Sequence, residues 1–207
     1  MFSTLLAFLG ACTLIAASPG PSTVLIIRQS LSSRRSGLLT VLGNETGVFV
    51  WGVVAAFGLT ALLTASEVAY DAMRVVGAVV LVVFGVQTLW HARHTRGAMD
   101  DGGTRAEARS GWAAYRTGLL INLANPKAAI FAMSFLPQFV PRGAPQLPAM
   151  VGLAALWAVY EVGYYSVYVW FVGRMRTVLS RASVRRRLEQ VSGGVLLLLG
   201  VRLALDG

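Results

Sequence analysis

The chain has one cysteine, Cys12. No internal disulfide can form, and no thiolate cluster can hold a metal. A membrane redox enzyme that passes electrons through a thiol pair is excluded for the same reason. Charge is scarce too. Asp, Glu, Lys and Arg make up 13% of the 207 residues, where a soluble domain carries about 25%. With 56% apolar residues and a mean hydropathy of +0.64, the composition points to a membrane protein. Acidic residues number nine against 18 basic ones, for a net charge of +9. Such a surplus can mark a nucleic-acid binder. Here the arginines lie in short stretches between apolar segments, not on one soluble face, so no nucleic-acid partner is expected.

A spanning helix needs roughly 20 apolar residues to cross a hydrocarbon core about 30 Å thick. Six segments qualify, at about 2–27, 38–64, 68–91, 117–140, 148–172 and 189–205. The first could be mistaken for a signal peptide. It lacks a positive n-region, and proline at 19 would sit at any cleavage point, so it reads as a retained helix. The last is short and contains Gly193, Gly194 and Gly200, which predicts close packing against a neighbour. The longest polar stretch, His91 to about Arg116, reads as a flexible linker around Asp100-Asp-Gly-Gly103. No extramembrane domain is expected.

Arginine sets the topology. Loop one holds Arg28, Arg34 and Arg35. Loop three holds Arg93, Arg96, Arg105, Arg109 and Arg116. Loop five holds Arg174, Arg176, Arg181, Arg185, Arg186 and Arg187. Together these are 14 of the 18 basic residues. The positive-inside rule then makes the odd loops cytoplasmic and leaves both termini outside.

Proline interrupts two of the apolar segments, at Ser18-Pro19-Gly20-Pro21 and at Asn122-Leu-Ala-Asn125-Pro126-Lys127. Proline has no N–H, and its ring clashes with the carbonyl one turn back. Both helices should break there and leave carbonyls such as those of Ile15, Ala17 and Asn122 unpaired. Two broken helices at corresponding places in two halves point to a midplane substrate site. The halves repeat elsewhere as well. Glu45-Thr-Gly47 answers Glu161-Val-Gly163, and Val83-Phe-Gly85-Val86 answers Leu198-Leu-Gly200-Val201. Three helices per half is an odd number, so the halves must be inverted. The expected fold is all-α: a polytopic membrane protein of six transmembrane helices built as two inverted three-helix repeats. It forms one transporter domain over 1–207, with repeat one over about 1–91, a linker over about 92–116 and repeat two over about 117–207.

Three ionisable residues of the apolar segments stand out: Glu45, just inside the second, Glu161, midway along the fifth, and Lys127, deep in the fourth and the only lysine in the chain. Such a group near the bilayer centre costs roughly 2.5–3.5 kcal/mol on insertion scales. It is kept for pairing or for function, and a Lys127–glutamate ion pair is the structural alternative to a proton or substrate site. Half-helices starting near Pro21 and Pro126 would point free N–H groups at the midplane and suit a carboxylate. Freed carbonyls and a glutamate suit an ammonium. The combination is complementary to a zwitterion, with Asn44, Asn122 and Asn125 able to hydrogen-bond either end. Tyr160, Tyr164 and Tyr168 fall on one face of the fifth segment, near Trp157 and Tyr165. They serve either helix packing and an interfacial belt or an aromatic wall for substrate. Gly43 and Gly47 form a small-xxx-small pattern expected to pack helices.

These motifs meet a known family. The chain resembles the LysE/RhtB group of amino-acid exporters over its whole length. The resemblance rests on Ser18-Pro-Gly-Pro21, Gly43-Asn-Glu-Thr-Gly47, Leu120-Ile-Asn-Leu-Ala-Asn-Pro-Lys127 and Phe135-Leu-Pro-Gln-Phe139. It implies six helices and efflux of an amino acid or close derivative driven by proton motive force. Pro19, Gly20, Pro21, Asn44, Glu45, Asn125, Pro126 and Lys127 match the family's motifs. The expected protein is therefore a proton-coupled exporter, not an enzyme, in the bacterial inner membrane. Its substrate would be an amino acid, most simply a neutral one. The substrate residues are Pro19, Gly20, Pro21, Asn44, Asn122, Asn125, Pro126 and Lys127, and the proton-coupling residues are Glu45 and Glu161. No cofactor or metal is expected. Partners are the substrate, protons and the lipid bilayer, with homodimerisation left open. A divalent-cation exporter on a related fold and a non-transporting membrane scaffold are the rival readings.

Overall fold

The computed structural model describes residues 2–18, 20–65, 67–94, 111–141, 143–179 and 181–205. These residues are helical almost throughout, without strands. In chain order the helices are α1 (Phe2–Ala17), α2 (Pro21–Ser32), α3 (Arg34–Ala65), α4 (Glu67–His94), α5 (Gly111–Leu123), α6 (Pro126–Phe135), α7 (Gln146–Trp170), α8 (Val172–Leu179) and α9 (Ala182–Leu205), with a 3-10 turn at Leu136–Phe139 after α6.

Among the described residues, Arg34–Ala61 and Gln146–Trp170 are each long and apolar enough to cross a membrane alone. Two bent pairs meet the same test together. Thr4–Ala17 and Pro21–Ser32 are bent by 67°, and Gly111–Leu123 and Ala128–Phe139 by 61°. The bends fall at the two proline motifs. Helices α4 and α9 have 28 and 24 residues, enough in length to span a bilayer.

Proline chemistry explains how each bend is built. An uninterrupted helix would pair the carbonyl of Asn122 with the N–H of residue 126, which is proline. The N–H of Asn125 takes its place at 2.9 Å. In the first half the N–H of Ser18 is shared between the carbonyls of Leu14 at 3.1 Å and Ile15 at 3.2 Å. A three-residue turn thus takes part in closing both helices. Each next helix restarts on a proline at its first position, Pro21 or Pro126, where a fixed φ helps and a missing N–H is harmless. Gly20, in extended conformation, caps α2.

This corrects the expectation of free carbonyls at Ile15 and Asn122: both are hydrogen-bonded. The arginine loops also change. Loop one shrinks to Ser33, whose hydroxyl accepts the N–H of Ser36 at 3.0 Å and caps α3. Arg28 lies in α2, while Arg34 and Arg35 open α3. Most of loop five is helical too, as α8 and the start of α9. The linker centre at Asp100–Gly103 lies outside the described residues, and Gly111–Arg116 belong to α5.

Helices α3 and α7 are the central pair, and α5 crosses α3 at close range. A Cβ on Gly43 would run into the backbone carbonyl of Tyr115, and one on Gly118 into that of Thr40. The small-residue pattern is therefore a packing device. Helices α4 and α9 pack on each other in the same way. Gly85 and Gly193 lie back to back, each with the other's carbonyl oxygen 2.9 Å from where its Cβ would be, and Gly200 faces Ala78 and Val82. Gly194 faces open space.

Two apolar clusters flank the bends. One joins α1, α6 and α7 through Phe8, Phe131, Phe135, Phe139 and Trp157. Its rings lie 4.3 Å apart for Phe131–Phe135, 4.6 Å for Phe135–Phe139 and 5.3 Å for Phe8–Phe135. Aromatic pairs of this kind contribute about 0.5–1.5 kcal/mol each beyond burial. The other cluster joins α2, α3 and α7 through Ile26, Ile27, Val41, Tyr165, Tyr168 and Val169.

Candidate functional site

Between these clusters, at the meeting point of the two helix breaks, lies a cavity. Gly20, Pro21, Ser22 and Thr23 line it from the start of α2. Asn44 lines it from α3, Asn122 and Asn125 from the second break, and Trp157, Glu161 and Tyr165 from α7. The centre of a water molecule has about 60 Å³ to move in. By that measure one water needs about 10–15 Å³. The space suits a few waters or a small solute.

The buried polar groups form a chain. Asn122 Nδ2 donates to Asn44 Oδ1 at 3.3 Å, and Asn44 Nδ2 donates to Glu45 Oε1 at 2.8 Å. All three residues are about 3% exposed. Gly47 makes this possible, since a Cβ there would stand 2.8 Å from Asn122 Oδ1. Across the α3–α7 contact, the carboxyl groups of Glu45 and Glu161 lie within interaction range of each other. Glu161 is 4% exposed.

Several buried polar atoms have no hydrogen-bond partner within the protein. Asn122 Oδ1 is an acceptor without a donor. Trp157 Nε1 is a donor without an acceptor, and Ser22 Oγ is unmatched as well. A buried unmatched group costs about 1–3 kcal/mol. Asn122, Trp157 and Ser22 all line the cavity, so a molecule held there can satisfy them.

The structure gathers most of the residues singled out in the sequence. Gly20, Pro21, Asn44, Asn122, Asn125 and Glu161 line one cavity, with Glu45 directly behind Asn44. Pro19 lies outside the described residues. Pro126 and Lys127 occupy the first turn of α6, but their side chains are also outside the described set. The tyrosine stripe turns away from the cavity. Tyr160 meets Thr13 Oγ1 at 2.6 Å, and the hydroxyls of Tyr164 and Tyr168 meet at 3.0 Å. These residues pack helices. The cavity instead receives Trp157, Glu161 and Tyr165, another set one turn apart on α7. Tyr165 and the unmatched Trp157 Nε1 were not foreseen as site groups. The i, i+4, i+8 spacing about Glu161 was the available signal. Among the described residues no group of three or more His, Cys, Asp or Glu is gathered at one place.

The family model of the LysE type translocators matches residues 13–207, a range that contains both breaks and every lining residue. The chain belongs to the LysE type translocator family. This is the family expected from the motifs, and its members are membrane translocators, not enzymes. The translocator is 27% identical over 199 residues to the homoserine/homoserine lactone efflux protein of Salmonella typhimurium, covering 96% of this chain and 94% of that protein. It is 30% identical over 155 residues to the threonine efflux protein of Escherichia coli, covering 74% and 71% respectively. It is 23% identical over 210 residues to the uncharacterized membrane protein YrhP of Bacillus subtilis, covering 98% and 99%. No solved structure matches the translocator.

Proposed function

We propose that this translocator exports a small zwitterionic amino acid, or a close derivative, across the inner membrane in exchange for protons. The observation that carries the reading is the pairing of an unmatched acceptor, Asn122 Oδ1, with an unmatched donor, Trp157 Nε1, in the same buried cavity. An ammonium group donates to the first and a carboxylate accepts from the second. The N-terminus of α2, with Ser22 beside it, adds partial positive charge for the carboxylate. The efflux proteins that the chain is similar to are named for homoserine and threonine. Both names fit a small cavity with hydroxyl and amide groups on its walls.

Glu45 and Glu161 are the proposed proton carriers. Two neighbouring buried carboxyls share one proton more readily than they carry two charges. An arriving ammonium stabilises the doubly charged pair and releases the proton. Binding of substrate and of proton thus exclude each other, as antiport requires. The reading includes six spans in two inverted repeats, both termini outside, and alternating access by rocking of the halves around the breaks. A divalent cation would call for several hard oxygen ligands, and the cavity wall offers one carboxyl, that of Glu161, among amides and aromatic rings.

The test is ligand-induced thermal stabilisation of the purified protein across a panel of amino acids, paired with growth rescue. A small neutral amino acid should raise Tm by several degrees, and overexpression should protect cells against a toxic analogue of it. Stabilisation by divalent cations alone, with rescue from cadmium, would overturn the reading.

A further inference from the structure

Each helix break is held by an aromatic donor from the central helix of the opposite half. In the second half, the carbonyl of Asn122 receives Trp51 Nε1 of α3 at 3.4 Å, in addition to the N–H of Asn125. In the first half, the carbonyl of Ala16 receives the hydroxyl of Tyr165 of α7 at 3.2 Å. Ala16 and Asn122 both lie three or four residues before a break proline. Trp51 and Tyr165 lie six and four residues after Glu45 and Glu161 on the two central helices. Both bonds are longer than the usual 2.9–3.0 Å. Both engage carbonyls inside apolar helix pairs long enough to cross a membrane, and in hydrocarbon an unpaired carbonyl costs several kcal/mol. Neither donor is needed to form its own helix.

We propose that Trp51 and Tyr165 are reciprocal positioning residues: each fixes the broken helix of the other half, and together they latch the closed arrangement of the cavity. The proposal rests on the transport reading, because a latch is needed only if the cavity opens. The break in one half carries the residues that line the cavity, Gly20 to Thr23 or Asn122 and Asn125. The donor comes from the helix that carries the carboxyl of the other half. A shift of α3 against α7 that opens the cavity pulls on both bonds together. The two breaks then move in concert.

Tyr165→Phe and Trp51→Phe remove the donor and keep a ring. Hydrogen–deuterium exchange on the substrate-free protein reads the clamps whatever the protein transports. Tyr165→Phe should speed exchange at the first break, around Ser18 and Val24, and leave Ala124–Ala129 unchanged. Trp51→Phe should do the reverse. In substrate counterflow each variant should raise KM about fivefold to tenfold, the size of one lost hydrogen bond, with maximal rate largely kept. In the double variant the two KM effects should multiply, because each bond holds its own break in the same closed arrangement. Trp51→His keeps a ring N–H where the indole N–H stands and should restore slow exchange at the second break. If Trp51→Phe fails to insert while Trp51→His inserts, the donor is required and the proposal stands. Three outcomes would overturn it. One is faster exchange spread over the whole protein or confined to the variant's own helix. Another is a double variant whose KM is no higher than that of the single variants. The third is failure of Trp51→Phe and Trp51→His alike, which would leave packing as the role of the ring. Absence of counterflow in every variant and in the unaltered protein, with the local exchange pattern intact, would fall on the transport reading and not on the clamps.

Discussion

Asn122 Nδ2 donates to Asn44 Oδ1 at 3.3 Å, a contact between residues 78 positions apart. It joins the second helix break to the polar face of α3. It exists because Gly43, Gly47 and Gly118 let α3 and α5 approach within backbone contact. The glycines that pack α3 on α5 also shape the candidate site.

Those glycines give a paired prediction. A methyl at Gly43 meets backbone, which cannot yield, so Gly43→Ala should lower stability by about 1–3 kcal/mol, seen as a lower Tm in detergent. A methyl at Gly47 meets Asn122 at Cβ and at Oδ1, both 2.8 Å away, so it pushes on α5 and on the amide together. Gly47→Ala should lower Tm as well and also lose most substrate-induced stabilisation. Gly58→Ala, where nothing lies within 4 Å, is the control and should leave both readouts unchanged.

Much of this site is legible in the sequence because proline acts locally. The missing N–H at 126 dictates a break wherever the chain goes. What sequence alone does not reveal depends on distant groups. The carbonyl of Asn122 was expected to be free, but Trp51 Nε1 reaches it from 71 positions away, and a three-residue turn closes on it. The tyrosine stripe was the more obvious periodic signal on α7. Rotation of that helix about its axis is set by packing, and it presents Trp157, Glu161 and Tyr165 to the cavity instead. Helix α8 was missed because a short segment with Arg174 and Arg176 reads as loop when its apolar residues are too few to span.

Proton coupling is tested at the glutamates. If the Glu45–Glu161 pair carries the proton, Glu→Gln at the carrier should abolish transport driven by a pH gradient while leaving substrate exchange largely intact. Counterflow and gradient-driven uptake on the same vesicles separate the two. Normal gradient dependence in both single variants would remove the pair from the coupling step.

Lys127, in the first turn of α6, divides a substrate role from a structural one. Every other positive side chain is arginine, so topology does not explain this one. A compact ammonium on a flexible stem suits a point-charge site. Lys127→Met should insert but lose stabilisation by the transported amino acid, and Lys127→Arg should be impaired too. If Lys127 only pairs with a glutamate, adding Glu→Gln to Lys127→Met should restore protein level and exchange. Full stabilisation of Lys127→Met would sink the carboxylate role.

The proposed orientation, with both termini outside, rests on the arginines. A C-terminal fusion to a periplasmic phosphatase should be active, and a fusion to a fluorescent protein that folds only in the cytoplasm should be dark. The opposite result would invert the topology and place α8 outside.

Proposed export of a small amino acid against protons is measured directly as uptake of radiolabelled amino acids into proteoliposomes under an imposed pH gradient. With an acidic lumen, the protein should accumulate a small neutral amino acid several-fold above the bath. At two pH units the ceiling is ~100-fold for one proton per substrate, since each unit is tenfold. A protonophore should abolish the accumulation, and lysine or arginine should not accumulate. Uptake of no amino acid under any gradient, or equal uptake with and without the protonophore, would contradict the account.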